Sequence, residues 1–300
     1  MKYDFIIIGG GMSGLACAYI LSREGKKVIV LDKNPQLGGG LQIFTRDKTL
    51  FETGVHYIGG LGKGQTLNQL FKYFGIMHKV EVKQLDLDAF DKIHFKDEKK
   101  YYSLGQGYKR FINNLTTDFP HQEKEIRTYC KKIQDVCNQF PLYNLRDQTD
   151  YPINNTEIEG VDEVIKSIIT DDRLSNILSS QNILYAGERE ITPFYIHALI
   201  VNSYIESAWR FVNGSSQVAR LLAKSIKIFG GEVIRNAKVV SVKMLGDTIS
   251  SVCLENGAIL EGLNVISSLH PKETMRIFGE NNFKSIYVKR VNNIKNSISA

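Results

Sequence analysis

The hydrophobic pattern at the start of the chain predicts a strand, a helix and a second strand in close succession. Phe5–Ile8 is a continuous apolar run that ends at glycines, which is typical of a parallel strand buried on both faces. Met12–Glu24 has apolar positions at helical spacing, and Gly25 follows it as a helix stop signal. Lys27–Asp32 predicts a second buried strand. Together these elements form a βαβ unit.

The rest of the chain divides into a helical middle part and an α/β final third. Gln65–Phe74 predicts a short amphipathic helix and Lys92–Leu104 a hairpin. Helical patterns dominate Gly107–Phe211, broken near Pro141 and across Asp147–Pro152. The final third predicts, in order, helix Ser216–Phe229, strands Glu232–Arg235, Lys238–Met244, Ile249–Leu254, Ala258–Glu261 and Asn264–Ser268, and helix Pro271–Phe278.

This alternation predicts an α/β fold of two domains. A discontinuous Rossmann-like domain comprises residues 1–75 and 212–280. A second, largely helical α+β domain comprises residues 76–211 plus 281–300. The division is reasonable for a chain of 300 residues, because single hydrophobic cores stop growing near that length.

A glycine motif lies between the first predicted strand and helix. Gly9, Gly11 and Gly14 match G-x-G-x-x-G in the strand-to-helix context that a dinucleotide site requires. The backbone N–H groups and the dipole at a helix N-terminus bind a pyrophosphate. Asp32 ends the second strand, where a carboxylate accepts ribose hydroxyls and disfavours a 2′-phosphate, so the nucleotide is FAD or NAD. The alternative is a glycine-rich turn followed by a chance acid.

Composition narrows the class of partner. The chain has 38 basic and 32 acidic residues, a net charge of +6, spread in short mixed runs that do not indicate a nucleic-acid surface. The excess fits an anionic cofactor, an anionic membrane surface or a solvated surface. Four cysteines lack metal-ligand or disulfide spacing, and no apolar run reaches bilayer length. We therefore predict a cytoplasmic protein without a metal site, with peripheral membrane contact as an alternative.

Features beyond the glycine motif resemble the flavoprotein superfamily that includes amine oxidases and phytoene desaturases. They are Gly14-Leu15, Ala18, Leu21, Gly25, Val28, Val30-Leu31-Asp32 and the doublet Gly38-Gly39. This resemblance implies FAD as the cofactor, bound by the first domain, with the doublet continuing the FAD-binding run. Gly40 stands where an arginine often follows in that superfamily, so one usual polar contact is absent or moved.

A longer segment, Phe51–Gly59, resembles the retinol saturases within the carotenoid desaturase and isomerase branch. The resemblance continues at Thr192-Pro193, His197–Asn202 and Gly214–Ser216. It implies that the backbone of Val239 meets adenine and that Ser268 lies on a strand passing the cofactor. It also implies a further C-terminal glycine-rich segment that closes over the flavin, beyond residue 300.

The resemblance implies an FAD-dependent oxidoreductase that saturates, desaturates or isomerises C=C bonds of a hydrophobic polyene, retinoid or carotenoid-like substrate. Alternatives are a flavin amine oxidase and a non-catalytic lipid-binding protein of the same fold. The second domain would bind the substrate, and the electron donor or acceptor is not named by the sequence. Catalytic candidates are Glu52, His56 and Tyr57. Expected cofactor-binding residues are Gly9, Gly11, Ser13, Gly14, Asp32, Lys33, Gly38, Gly39, Val239 and Ser268.

Overall fold

A computed structural model describes residues 2–147, 159–246 and 248–296 of the chain. Along these residues the strands are β1 (Lys2–Ile8), β2 (Val28–Leu31), β3 (Ile43–Arg46), β4 (Thr49–Glu52), β5 (Ile58–Gly59), β6 (Val82–Gln84), β7 (Asp91–His94), β8 (Tyr101–Leu104), β9 (Ala208–Phe211), β10 (Glu232–Ile234), β11 (Val239–Leu245), β12 (Thr248–Leu254) and β13 (Ile259–Ser267). The α-helices are α1 (Met12–Arg23), α2 (Thr66–Tyr73), α3 (Tyr108–Asp118), α4 (Glu123–Asn138), α5 (Val161–Ile168), α6 (Asp172–Ser179), α7 (Phe194–Glu206), α8 (Ser216–Ile228), α9 (Pro271–Phe278) and α10 (Ser285–Asn293). None of these helices is both long enough and apolar enough to cross a bilayer.

The described residues form two compact units. The first, called the sheet unit here, comprises Met1–His56, Phe74–Glu81 and Val212–Asn296. The second, called the helical unit, comprises Tyr57–Tyr73 and Val82–Phe211.

A six-stranded sheet organises the sheet unit, with the strand order β10-β2-β1-β13-β12-β11. β10, β2, β1 and β13 run parallel, whereas β13, β12 and β11 form an antiparallel meander. Ile6 is opposite Ile29 on one side and Val265 on the other, and its side chain is fully buried. The predicted Rossmann-like βαβ start is therefore confirmed as β1-α1-β2.

Two layers pack on this sheet because its strands are apolar on both faces. α1 packs against α8. Side chains of the sheet itself, among them Ile6, Ile29 and Val252, belong to one buried apolar cluster. α9 packs on β11, and α10 packs on α9. The hairpin β3–β4 pairs Ile43 with Glu52 and lies outside the main sheet.

The helical unit has its own core. α4 packs against α7, and fully buried side chains such as Tyr129, Phe111 and Ile205 belong to one apolar cluster. Its strands form the three-stranded sheet β5-β9-β6 and the predicted hairpin β7–β8. The expectation of a largely helical α+β unit is confirmed.

One strand was predicted wrongly as two. β13 runs continuously through Gly262, where the sequence analysis placed a break. Its first half pairs antiparallel with β12 and its second half parallel with β1. A side chain on Gly262 would lie 2.8 Å from Ile6, so the glycine here permits close packing and does not end the strand.

The observed units differ from the predicted domain boundaries at three places. Residues 57–73 belong to the helical unit, because Ile58 pairs with Trp209. Residues 74–81 belong to the sheet unit, where Phe74 packs edge-on against Tyr19. Residues 281–296 join the sheet unit because α10 packs on α9. Most of the predicted break across Asp147–Pro152, and residues 297–300, lie outside the described residues.

Candidate functional site

The predicted glycine loop joins the carboxyl end of β1 to the first turn of α1. The Gly9 N–H donates to the carbonyl of Leu31 at 2.8 Å, which ties the loop to the end of the neighbouring parallel strand. Gly11 is the N-cap of α1 and supplies no side-chain hydrogen bond to the helix. The first-turn N–H groups are therefore available to an external acceptor. Ser13, in that turn, is exposed.

The three motif positions are occupied by glycine for different physical reasons. An added Cβ on Gly14 would lie 2.0 Å from the Gly9 carbonyl oxygen, so helix and loop approach too closely for any side chain. Gly9 has a φ of +104°, which L-residues rarely adopt. An added Cβ on Gly11 would meet nothing within 4 Å. Gly9 and Gly14 are needed by the fold itself, whereas Gly11 borders open space of the kind a pyrophosphate would occupy.

The second glycine segment lies directly beside the first. The Gly38 N–H donates to the Gly10 carbonyl at 2.8 Å, and Gly11 and Gly38 form an isolated parallel bridge. Gly39 is exposed, and a Cβ there would lie 3.5 Å from the Gly11 Cα. The structure thus brings the two predicted glycine clusters together into one surface of backbone. Gly40 is exposed and adds no side chain to it.

Asp32 lies at the end of β2 and holds the glycine loop. Its side chain is only 6% exposed. One carboxylate oxygen accepts the Gly10 N–H at 2.7 Å, and the other accepts the Asn34 N–H at 2.7 Å. An ionised carboxylate has about four acceptor positions, so two stay available for a ribose hydroxyl. Sequence reasoning foresaw a ribose ligand here and missed the bonds to Gly10 and Asn34. Lys33 is exposed.

The two candidates from the last third of the chain differ in what they contact. The Ser268 hydroxyl lies 3.1 Å from both the Ile8 and the Gly9 carbonyl oxygens, so this side chain packs against the start of the loop. Val239 begins β11 opposite Leu254, and its side chain is buried in the sheet-unit core.

Glu52 connects the β3–β4 hairpin to α8. Its carboxylate accepts the Ser215 N–H at 3.0 Å and also the Ser215 hydroxyl. Ser215 is fully buried and its hydroxyl also lies 3.1 Å from the Leu41 carbonyl. Glu52 therefore stabilises the segment that follows the second glycine cluster. No sequence signal pointed to Ser215 as its partner.

The other catalytic candidates are in different environments. His56 is exposed, at the last position of the first sheet-unit segment. Tyr57 begins the helical unit, where its hydroxyl donates to Asp91 at 3.1 Å and its ring lies 4.9 Å from that of Tyr204. Burial, with Asp91 close by, raises the pKa of Tyr57 well above its ordinary value. Its phenol therefore stays protonated at neutral pH and acts as a hydrogen-bond donor.

His197 is a buried core residue of the helical unit. Its Nε2 lies 2.7 Å from the Tyr129 hydroxyl and its Nδ1 lies 2.9 Å from the Tyr185 hydroxyl. The Tyr185 hydroxyl donates to Asn182, so it accepts from Nδ1, and the ring is neutral with its proton on Nδ1. Burial lowers the pKa of His197 to about 3.

Comparison with known proteins decides the family. Residues 12–277 match the family model described as flavin containing amine oxidoreductase. The chain belongs to this family. Its flavin-containing character supports FAD as the cofactor, and the predicted superfamily is confirmed.

Curated relatives and solved structures agree with that assignment. The chain is 29% identical to an all-trans-retinol 13,14-reductase of Macaca fascicularis over 274 residues, covering 84% of this chain and 44% of that protein. It is 24% identical to a chloroplastic prolycopene isomerase of an Oncidium hybrid cultivar, covering 96% and 53% respectively. An oxidoreductase structure from Methanosarcina mazei has a TM-score of 0.71 at 18% identity, covering 98% of this chain and 66% of the other. That likeness confirms the fold. The chain spans about half the length of the curated relatives it matches.

Proposed function

We propose that the sheet unit binds FAD, with the flavin's pyrophosphate at the first turn of α1. The observation that carries this proposal is the open N-terminus of α1 at Gly11, where no side chain caps the helix and an added Cβ meets nothing. A helix N-terminus of this kind binds phosphate through backbone N–H groups and the helix dipole. The residues present therefore fit the group.

The remaining cofactor assignments follow from positions around this loop. Ser13 in the first turn and Gly38-Gly39 beside Gly11 would border the pyrophosphate. Asp32, with acceptor capacity left over, would bind the ribose hydroxyls. Lys33, Val239 and Ser268 complete the set that the family resemblance proposes.

We infer that the whole protein acts on C=C bonds of a hydrophobic polyene. Two relatives support this inference, because their names refer to retinol and prolycopene, and both compounds are conjugated isoprenoids. Bound flavin supplies the electron transfer, while the protein supplies orientation and a dry pocket. The helical unit, with its separate apolar core, is the proposed substrate domain.

We assign different roles to the three catalytic candidates. Tyr57 keeps its proton because of burial and Asp91, so we assign it the role of a hydrogen-bonding wall of the pocket and not that of an acid. His56 is exposed and suits proton exchange with solvent. The carboxylate of Glu52 already accepts hydrogen bonds from Ser215, and its proposed contribution is to position the segment that follows the second glycine cluster.

Two alternative functions can be tested separately. A flavin amine oxidase would show flavin reduction by amines, in agreement with the family's description. A non-catalytic lipid-binding protein would have no need of the open N-terminus at Gly11. We propose a cytoplasmic location, with peripheral membrane contact as the alternative that vesicle co-sedimentation tests.

The experiment is the substitution Gly11→Val, read by flavin absorbance per polypeptide in the purified protein. Because a Cβ at this position meets no protein atom within 4 Å, the fold should survive while bound FAD is lost. Gly14→Ala is the matched control for damage to the fold, since its Cβ would overlap the Gly9 carbonyl. Undiminished flavin in Gly11→Val at unchanged thermal stability would reject the pyrophosphate assignment.

A further inference from the structure

The sheet unit contains a cavity of about 510 Å³ that the flavin proposal does not use. It lies along the outer face of α8, the segment after β2, and β10. None of residues 9–14 lines it. Its lining consists of Pro35, Gln36, Leu37, Ile43, Ser216, Arg220, Ala223, Lys224, Lys227, Val233 and Arg235.

The charge of this lining has one sign. Four of its side chains are cations, and none is a carboxylate. Arg220, Lys224 and Lys227 share one face of α8, at spacings that bring them together on a helix. Among the described residues, none of these three makes an ion pair within 4 Å.

On two other helices of this chain, lysines form ion pairs with carboxylates of the same helix. Lys131 pairs with Asp135 on α4, and Lys166 pairs with Asp162 on α5, both at the i, i+4 spacing. On α8 the corresponding neighbours Arg220 and Lys224 are like charges, which destabilise a helix at that spacing. An anion bound between them would relieve this repulsion.

The remaining lining indicates the shape of the ligand. One guanidinium nitrogen of Arg235 donates to the Pro35 carbonyl at 3.1 Å, which holds the guanidinium beside the cavity. Leu37, Ile43 and Val233 supply an apolar wall on the same cavity. A guanidinium fork and ammonium groups together match the oxygens of a phosphate better than a single carboxylate.

We propose that this cavity, called the basic groove, binds a small phosphate-bearing ligand whose phosphate lies among Arg220, Lys224, Lys227 and Arg235. The apolar wall receives the non-phosphate part. A free phosphorylated metabolite and a phospholipid headgroup share this chemistry, and the test separates them.

The probe is inorganic pyrophosphate, titrated calorimetrically into the purified protein. The double variant Arg220→Gln/Lys224→Gln should weaken binding by about tenfold or more, and added salt should weaken wild-type binding. Lys289→Gln/Arg290→Gln removes the same charge from exposed positions on α10 and should leave the affinity unchanged. Because all four side chains are exposed, thermal melts should coincide with wild type.

Equal affinities in the two double variants would overturn the proposal. So would complete competition by FAD, because the cations would then belong to the flavin site. Vesicles containing phosphatidic acid, compared with phosphatidylcholine alone, identify the source of the phosphate. If the wild-type protein sediments with the acidic vesicles and Arg220→Gln/Lys224→Gln does not, the phosphate belongs to a lipid headgroup. If the wild-type protein binds pyrophosphate but does not sediment with these vesicles, the ligand is soluble.

Discussion

Replacing Asp32 by asparagine tests whether this carboxylate holds the glycine loop as well as a ribose. Each of its oxygens accepts one backbone N–H, from Gly10 and from Asn34, at 2.7 Å. An asparagine keeps one acceptor oxygen and turns an NH₂ group towards the other N–H. Because the site is only 6% exposed, water cannot readily replace the lost acceptor.

The expected loss in the free energy of unfolding follows from the number of hydrogen bonds that the substitution removes. One hydrogen bond to a charged group, lost with its buried donor left unpaired, costs about 2–3 kcal/mol. Asp4→Asn is the matched control, because Asp4 accepts a single N–H, from Lys27 at 2.8 Å, and an amide oxygen can still accept it. We expect the control to lose less than about 1 kcal/mol.

The assay is urea unfolding of the flavin-free protein, with FAD titration of the folded variants afterwards. A loss of stability in Asp32→Asn without flavin shows that the carboxylate positions the loop. A further loss of FAD affinity in folded protein shows the ribose contact. If Asp32→Asn and Asp4→Asn unfold at the same urea concentration, the carboxylate does not hold the loop and the reasoning fails.

Two further predictions concern histidines. Burial lowers the pKa of His197 from 6.5 to about 3, so the unfolded chain takes up a proton that the folded chain refuses. Stability is complete above pH 6.5 and falls by about 1.4 kcal/mol per pH unit below it; this slope should be missing from His197→Gln in unfolding measured from pH 7 to 4.5. His56→Ala in the flavin-loaded enzyme should keep FAD and lower turnover by about 10²–10⁴-fold if His56 transfers the proton. Loss of flavin together with normal residual turnover would make His56 structural.

Local features of the sheet unit were predictable from sequence because neighbours in the chain determine them. The apolar run of β1, the helical spacing of α1 and the glycines between them each have a local physical cause. β13 has two different neighbours along its length, so no single hydrophobic period describes it. The two-residue strand β5 depends on pairing with Trp209, a contact that its own sequence does not encode.

The candidate site also contains residues that the sequence predicts and contacts that it does not predict. Gly9 and Gly14 were predictable because backbone conformation and close approach restrict them to glycine. The partner of Glu52 was not, because Ser215 is far away in sequence and its N–H and hydroxyl reach the carboxylate only in the folded chain. Sequence reasoning therefore finds residues whose identity is forced, and misses contacts that only the fold creates.

The loop at Gly9–Gly14 derives its shape from residues outside it. Asp32 holds the Gly10 N–H, Gly38 donates to the Gly10 carbonyl, and Ser268 packs against the Gly9 carbonyl. These contacts exist without any ligand, so an arriving pyrophosphate meets N–H groups already in position and little ordering entropy is lost on binding. In the proposed complex, Asp32 and Ser268 would not touch the phosphate and would influence its affinity through the loop. Substitutions at Asp32 or Ser268 should loosen the loop first and weaken flavin binding as a consequence.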